Sequence, residues 1–249
     1  MRLTVVGCSG SFPGPQSAAS CYLVEHDGYA LVLDLGSGAL GPLQRHVDLD
    51  AVGAVLVSHL HADHCADLCG YYVARKYHPD GATRTPLDVH GPAGTRRLIA
   101  GAYGGISEEH LSEVFTFHDV TAGVQALGPL TVTTARAAHP VECYSVRVEA
   151  GGRTLVYTAD TGPSQTVAGL AGGADLLLAE ASFVDGRPNP EDVHLTGAQA
   201  GELACSSGAG RLVLTHVPPW NDPQAALAAA RAAYRGPSEL AHAGAVYDI

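Results

Sequence analysis

The stretch AVLVSHLHADHCADL, residues 54–68, decides how the rest of the chain is read. His59, His61, Asp63 and His64 crowd into six consecutive positions directly after the run Val55-Leu56-Val57. That run suits a buried strand, and Ala66, Leu68 and Tyr71-Tyr72-Val73-Ala74 suit a helix, so the polar cluster falls in the turn between them. Asp63 is placed near the helix start, where a carboxylate accepts free backbone N–H groups. With each specified position matched at roughly one in twenty, H-x-H-x-D-H arises by chance in on the order of one chain in a thousand of this length. Imidazoles and a carboxylate projecting from one turn form a metal-binding set.

Length and composition bound the answer. With 249 residues, 46% of them hydrophobic, and no low-complexity tract, the chain fits one α/β domain over residues 1–249, large enough to bury a full core. The early apolar run Leu3 to Val6 is too short for a secretory signal and no stretch approaches a membrane span, so the expected location is cytoplasmic. Cys8, Cys21, Cys65, Cys69, Cys143 and Cys205 are scattered without a C-x-x-C pair, which points to reduced thiols. The net charge of −11 disfavours extended nucleic acid and anionic membranes as partners. Five of the fourteen basic residues, Arg75, Lys76, Arg84, Arg96 and Arg97, lie between 75 and 97, a segment read as a solvated surface rather than a substrate entrance.

Strand and helix signals alternate along the chain. Strands are expected at 2–7, 20–25, 29–34, 54–58, 87–90, 114–117, 130–136, 143–149, 153–159, 174–179, 211–215 and 244–248. Helices are expected at 38–46, 64–77, 93–101, 164–171, 196–207 and 222–235. Strand-rich segments followed by strand-helix units occur in both halves, which favours an α/β fold of two sheets sandwiched between helices.

Four further segments place a metal-competent side chain just after a strand. ALVL is followed by Asp34, TVTTARAAHP carries His139, TLVYTAD ends on Asp160 and RLVLTH ends on His216. Taken singly, a histidine after a strand is ordinarily a surface or core residue, and an aspartate before Thr-Gly a turn residue. Strand ends on one edge of a sheet converge, however, so these residues can complete the site begun by the cluster.

The order H-x-H-x-D-H, His139, Asp160, His216 resembles the metallo-β-lactamase superfamily of dinuclear metallohydrolases. The resemblance implies an αββα sandwich with two divalent metal ions at one edge. It assigns His59, His61 and His139 to the first metal, Asp63, His64 and His216 to the second, and Asp160 to both, with Asp34 supporting the metal loop. A bridging carboxylate in place of a thiolate points to zinc, with manganese as the alternative, and to phosphoester hydrolysis. Two such ions can make hydroxide available at neutral pH, and Asp63 can hold its proton.

Glu180 closes a strand, and His194 precedes a helix opening at Thr196, a layout similar to the ribonuclease Z branch of that superfamily. The similarity implies that His194 protonates the leaving oxygen and Glu180 orients it. Ribonuclease Z itself fits less well, because its tRNA-gripping arm lies between the positions matching His139 and Asp160, where this chain has room for one hairpin around Gly151-Gly152. Ala62 also stands where that enzyme usually has glycine.

Further segments extend the resemblance. VVGCSGSFPGPQSAASCYLVE, LGPLQRHVD, RKYHP, YTADTG, HLTGAQAG and LTHVPPW together look like the actinobacterial cyclic-nucleotide phosphodiesterases of the same superfamily. This implies hydrolysis of a small-molecule cyclic nucleotide, 3′,5′-cyclic AMP favoured, to the 5′-monophosphate, and suggests a homodimer. A ribonuclease-Z-like nuclease, another hydrolase on the same scaffold and a non-catalytic metal-binding protein stay open as alternatives. Tyr71, Tyr72, Tyr77 and Tyr103 are aromatic candidates for a purine contact, but their helical spacing favours core packing.

Overall fold

The computed structural model describes residues 1–79 and 85–249, and it folds the chain into four layers, helices outside and two sheets within. The first sheet runs in the order β15 (Val246–Asp248), β1 (Arg2–Ser9), β3 (Cys21–His26), β4 (Tyr29–Leu33), β5 (Val52–Leu56), β6 (Leu87–Gly91) and β7 (Phe115–Asp119), with β2 (Ala18–Ala19) paired to β1. The second runs β14 (Ser238–Leu240), β13 (Leu212–Thr215), β12 (Leu176–Glu180), β11 (Arg153–Tyr157), β10 (Tyr144–Ala150), β9 (Leu130–Arg136) and β8 (Gly123–Leu127). The helices are α1 (Leu40–Leu43), α2 (Ala62–Cys65), α3 (Leu68–Lys76), α4 (Thr95–Ala102), α5 (Glu108–Leu111), α6 (Gln165–Leu170), α7 (Gly197–Ser207) and α8 (Pro223–Ala233).

Strand alternation sorts the apolar residues into three cores. On β4, Leu31 and Leu33 face the second sheet and meet Val132, Val146, Leu155 and Leu178, whereas Val32 faces outward toward Leu68, Tyr71 and Ile99. On the far side Val156, Leu177, Leu212 and Leu214 pack beneath Ala200, Ala204, Leu227 and Ala230 of α7 and α8. Each buried Leu or Val contributes about 1.5–3 kcal/mol relative to exposure, so both sheets are held by burial on both faces. No described helix is long and apolar enough to cross a membrane.

Every expected strand forms, but β2, β8, β14 and α5 were not expected. They are short, and β8 is an edge strand with Val124 mostly exposed, so their apolar patterns are weak. The helix expected over 64–77 is divided into α2 and α3. Asp67 N donates to Leu35 O instead of to a helical carbonyl, and its carboxylate accepts from Gly38 N and Leu40 N at 3.1 and 2.8 Å. Contacts to the loop after β4 thus interrupt a sequence that would otherwise continue as one helix.

Within each sheet the strands that matter run the same way: β1 and β4 are both antiparallel to β3, β5 is parallel to β4, and β9 and β11 flank β10 antiparallel with β12 and β13 parallel to β11. Their C-terminal ends lie along a common edge, where Ser9 bridges Val217 in parallel across the two sheets.

Candidate metal centre

The expected ligands assemble at this edge into two adjoining groups, His59, His61, His139 and Asp160 in one and Asp63, His64 and His216 in the other. In the first, His59 Nε2 and His139 Nε2 lie 3.0 and 3.4 Å from His61 Nδ1. In the second, His216 Nε2 lies 3.1 Å from both His64 Nε2 and Asp63 Oδ2. Asp160 stands between them, with Oδ2 3.6 Å from His59 Nε2 and Oδ1 3.3 and 3.5 Å from the Nε2 atoms of His64 and His216. A tetrahedral cation with bonds near 2.0–2.1 Å separates its ligand atoms by about 3.3 Å, the spacing these donors already have.

The backbone bends sharply to deliver them. Asp34, Ala159 and His216, at or just past the ends of β4, β11 and β13, have φ of 58°, 50° and 54°. The left-handed region disfavours side chains with a Cβ by roughly 1–2 kcal/mol, and such strain collects where function fixes geometry. The loops also approach closely: a Cβ at Gly36 would fall 1.9 Å from Asp63 O, and one at Gly10 2.3 Å from His216 O. Only glycine permits these contacts.

The far nitrogens of the imidazoles are held in place. His64 Nδ1 is 2.7 Å from Asp34 Oδ2, and His139 Nδ1 is 2.9 Å from Val193 O; both partners only accept, so both nitrogens carry protons. His216 Nδ1 meets Ser182 Oγ at 2.8 Å and His59 Nδ1 meets Ser58 Oγ at 3.1 Å. Asp34 also accepts from Ser58 N, Ser58 Oγ and Tyr157 Oη at 2.6, 2.8 and 2.8 Å, which ties the metal loop to the opposite sheet.

Electrostatics fit a cation. Burial alone would raise Asp160, but His216, His64 and His59 hold its carboxyl well below the usual range. For Asp63 burial is likewise outweighed, by hydrogen bonds to His216 and His64. Burial keeps His59 neutral, whereas the Asp160 and Asp34 carboxylates overcome burial at His64 and hold it as imidazolium. The buried Asp160 Oδ1 has no hydrogen-bond partner. Ionised carboxylates, converging nitrogens and an acceptor without a donor match the donor set for divalent metal ions.

Beside this cluster, His194 Nδ1 lies 2.8 Å from Glu180 Oε1 and 3.9 Å from Asp160 Oδ2. Glu180 is fully buried at the end of β12, where Thr161 N and Ser182 N donate to its two oxygens at 2.8 and 3.2 Å. Thr196 caps α7 reciprocally with Gln199, anchoring the segment that presents His194. Burial lowers the His194 pKa, but the charge and hydrogen bond of Glu180 more than reverse this, to about 9.

One expectation needs correction, and others are borne out. Asp63 lies in the first turn of α2 without capping it: the N-cap position is His61, no side chain caps it, and the Asp63 carboxylate faces His216 instead. Cys65 donates to His61 O, and its thiol is pushed up to about 12 mainly by burial, so it stays outside the donor set. Tyr71 and Tyr72 are buried in the outer core of the first sheet. In the basic segment Arg75 pairs with Asp50, Lys76 with Glu113 and Arg96 with Glu108; Arg84 lies outside the described residues. Ser58, Ser182, Tyr157 and the Val193 carbonyl went unnoticed in the sequence, because serine, tyrosine and backbone groups carry no spacing signal.

Comparison with known proteins agrees with this architecture. The model of the family described as the beta-lactamase superfamily domain matches residues 31–217. The uncharacterized protein ML1173 of Mycobacterium leprae is 41% identical over all of this chain and 89% of its own length. YhfI of Bacillus subtilis is 30% identical over the full length of both chains, and its crystal structure, titled as a metallo-beta-lactamase fold protein, superposes with a TM-score of 0.88 over 99% of each. A ribonuclease Z of Shouchella clausii is 27% identical over 87% of this chain and 86% of its own. The chain belongs to the metallo-β-lactamase superfamily, on its ribonuclease-Z-like side.

Proposed function

We propose that this protein is a metal-dependent phosphodiesterase that hydrolyses small cyclic phosphodiesters, with 3′,5′-cyclic AMP the favoured substrate and the 5′-monophosphate the product. Hydrolase chemistry on this scaffold is in keeping with the relative YhfI, which bears the name "Probable metallo-hydrolase". The observation that carries the finer reading is the Glu180–His194 pair at 2.8 Å beside the ligand cluster.

His59, His61 and His139 would hold one metal ion, Asp63, His64 and His216 a second, and Asp160 both. The nitrogen and carboxylate donors suit zinc, or manganese. Divalent ions bound there supply Lewis acidity, lowering the pKa of water and offsetting phosphoryl charge. The remaining work falls to side chains. His194 keeps Nδ1 on Glu180, which leaves Nε2 to hold the proton for the departing alkoxide. Glu180, immobilised by two backbone N–H groups, fixes the ring and favours its charged form. Divalent ions bound beside it would act against Glu180 and lower the His194 pKa, making the ring a more ready proton donor.

Compactness favours a small substrate. Between His139 and Asp160 the chain makes only the β10–β11 hairpin, closed by Gly151 and Gly152 with φ of 58° and 73°. With a net charge of −11, a polyanion gains little from the surface.

The test supplies metal-replete protein with 3′,5′-cyclic AMP and, in parallel, with a 3′-extended pre-tRNA, and separates the products. Formation of 5′-AMP that is lost in Asp160→Ala supports the reading. Cleavage of the pre-tRNA with no turnover of the cyclic nucleotide would replace it with an RNA-processing role.

A further inference from the structure

Two loops frame His216, and each ends in an exposed aromatic ring. Phe12, in the loop after β1, is 39% exposed, and Trp220, after β13, is 69% exposed; their ring centroids are 4.8 Å apart at 41°. Trp220 is the only tryptophan in the chain, and most of it is left in solvent.

The pair is rigidly built. Asn221 N donates to Pro218 O, closing a turn with Pro219 and Trp220 at its centre, and Asn221 Nδ2 donates to Ser182 O at 2.8 Å. The same Ser182 holds His216 Nδ1, so the turn that presents Trp220 is tied to a ligand of the metal centre. On the other loop Gly10 N donates to Val217 O, and a Cβ at Gly10 would lie 3.1 Å from His216 Nδ1. Phe12 follows two residues later, within about 7 Å of that point along the chain. Ser9 Oγ donates to Phe12 O, and Ser11 between them has φ of 63°. Strained backbone and prolines hold two rings outward beside a catalytic edge, a cost that packing alone does not require.

Resting on the phosphodiesterase reading above, we propose that Phe12 and Trp220 form a stacking platform for the nucleobase of the substrate. Rings of this kind accept any base face, and stacking on one such ring contributes about tenfold or more in affinity. A nucleobase is favoured over a protein partner because two side chains fall far short of the roughly 800 Å² per partner that a stable interface buries. The tyrosines that the sequence offered for this role are engaged otherwise: Tyr71 and Tyr72 pack in the outer core, and Tyr103 and Tyr77 meet the Tyr72 ring edge-on.

As the only tryptophan, Trp220 reports on its own occupancy. Metal-replete full-length protein is titrated with 5′-AMP, which is not turned over, and with ribose 5-phosphate, which shares its phosphate and sugar but lacks the base. Saturable quenching by 5′-AMP alone, weakened about tenfold in Phe12→Ala, is the expected result. In turnover, Trp220→Ala should raise KM more for 3′,5′-cyclic AMP than for a base-free cyclic diester. Equal responses to both phosphates, or silence at 5′-AMP concentrations that inhibit diester turnover, would overturn the platform and leave the phosphodiesterase standing. Base-dependent quenching in a protein that cleaves no diester would keep the platform and remove that activity.

Discussion

Asp34 Oδ2 and His64 Nδ1 stand 2.7 Å apart, both side chains fully buried, and this contact decides which nitrogen of His64 faces the metal centre. The carboxylate can only accept, so the proton stays on Nδ1 and Nε2 is the ligand atom.

Replacing Asp34 with asparagine tests that logic. An amide can turn its NH2 toward the ring and its oxygen toward Ser58 N, which favours the wrong tautomer while keeping most of the packing. Asp34→Asn should lower metal affinity by about 10- to 100-fold with a modest loss of stability. Asp34→Ala should be worse, because Ser58 and Tyr157 would lose their shared acceptor at about 1–3 kcal/mol for each buried group left unpaired. Chelator competition measures the first effect, and unaltered affinity in Asp34→Asn would remove Asp34 from its orienting role.

Asp34 also marks the limit of what the sequence discloses. The ligands were legible because histidines and carboxylates at strand ends form an unusual pattern, and strand alternation exposed both sheets. Ser58 and Ser182 gave no signal, since a serine next to a ligand becomes its partner only once the strand ends have bent. The break between α2 and α3 was hidden for a related reason: Leu35, from the loop after β4, takes the N–H of Asp67. Phe12 and Trp220 come from opposite ends of the chain, and backbone contacts between the two loops, the parallel bridge between Ser9 and Val217 among them, bring the rings together.

If His194 carries the leaving-group proton, its importance depends on the leaving group. His194→Ala should keep the bound metal and reduce turnover of a diester with a poor alkoxide leaving group by about 10² to 10⁴. A diester that releases an acidic phenol needs no such proton, and its loss should be far smaller. Glu180→Gln should act in the same direction but less severely, through the orientation of His194. Equal losses on both diesters would contradict the acid role, and loss of metal in Glu180→Gln would place that residue among the structural supports of the ligands.

Metal loading should depend on pH with a definite sign. In the metal-free protein the Asp160 and Asp34 carboxylates, acting against burial, raise His64 well above its ordinary value. A metal ion must displace the proton on Nε2, so below that raised value affinity should climb by about tenfold per pH unit for one proton released. Calorimetric titration in buffers of different ionisation enthalpy counts the protons. A pH-independent affinity with none released would show that His64 already presents a free nitrogen.

The His194–Glu180 pair should leave its own mark on the stability of the metal-free protein. Burial opposes the charged ring, but Glu180 outweighs it and raises His194 from 6.5 to about 9. The folded state therefore binds this proton more tightly than the unfolded chain, and the pair stabilises the fold below the unfolded value. That contribution, on the order of 3 kcal/mol, is fully present below about pH 6.5 and fades as pH rises through about 9. Other groups titrate in the same range, so the informative quantity is the difference between wild type and His194→Gln in chelator-treated samples. The two denaturation curves should be well separated at low pH and converge as the solution becomes alkaline. A constant separation across that window would mean that His194 is neutral in the folded protein, and the proton assigned to the leaving oxygen would then have to come from elsewhere.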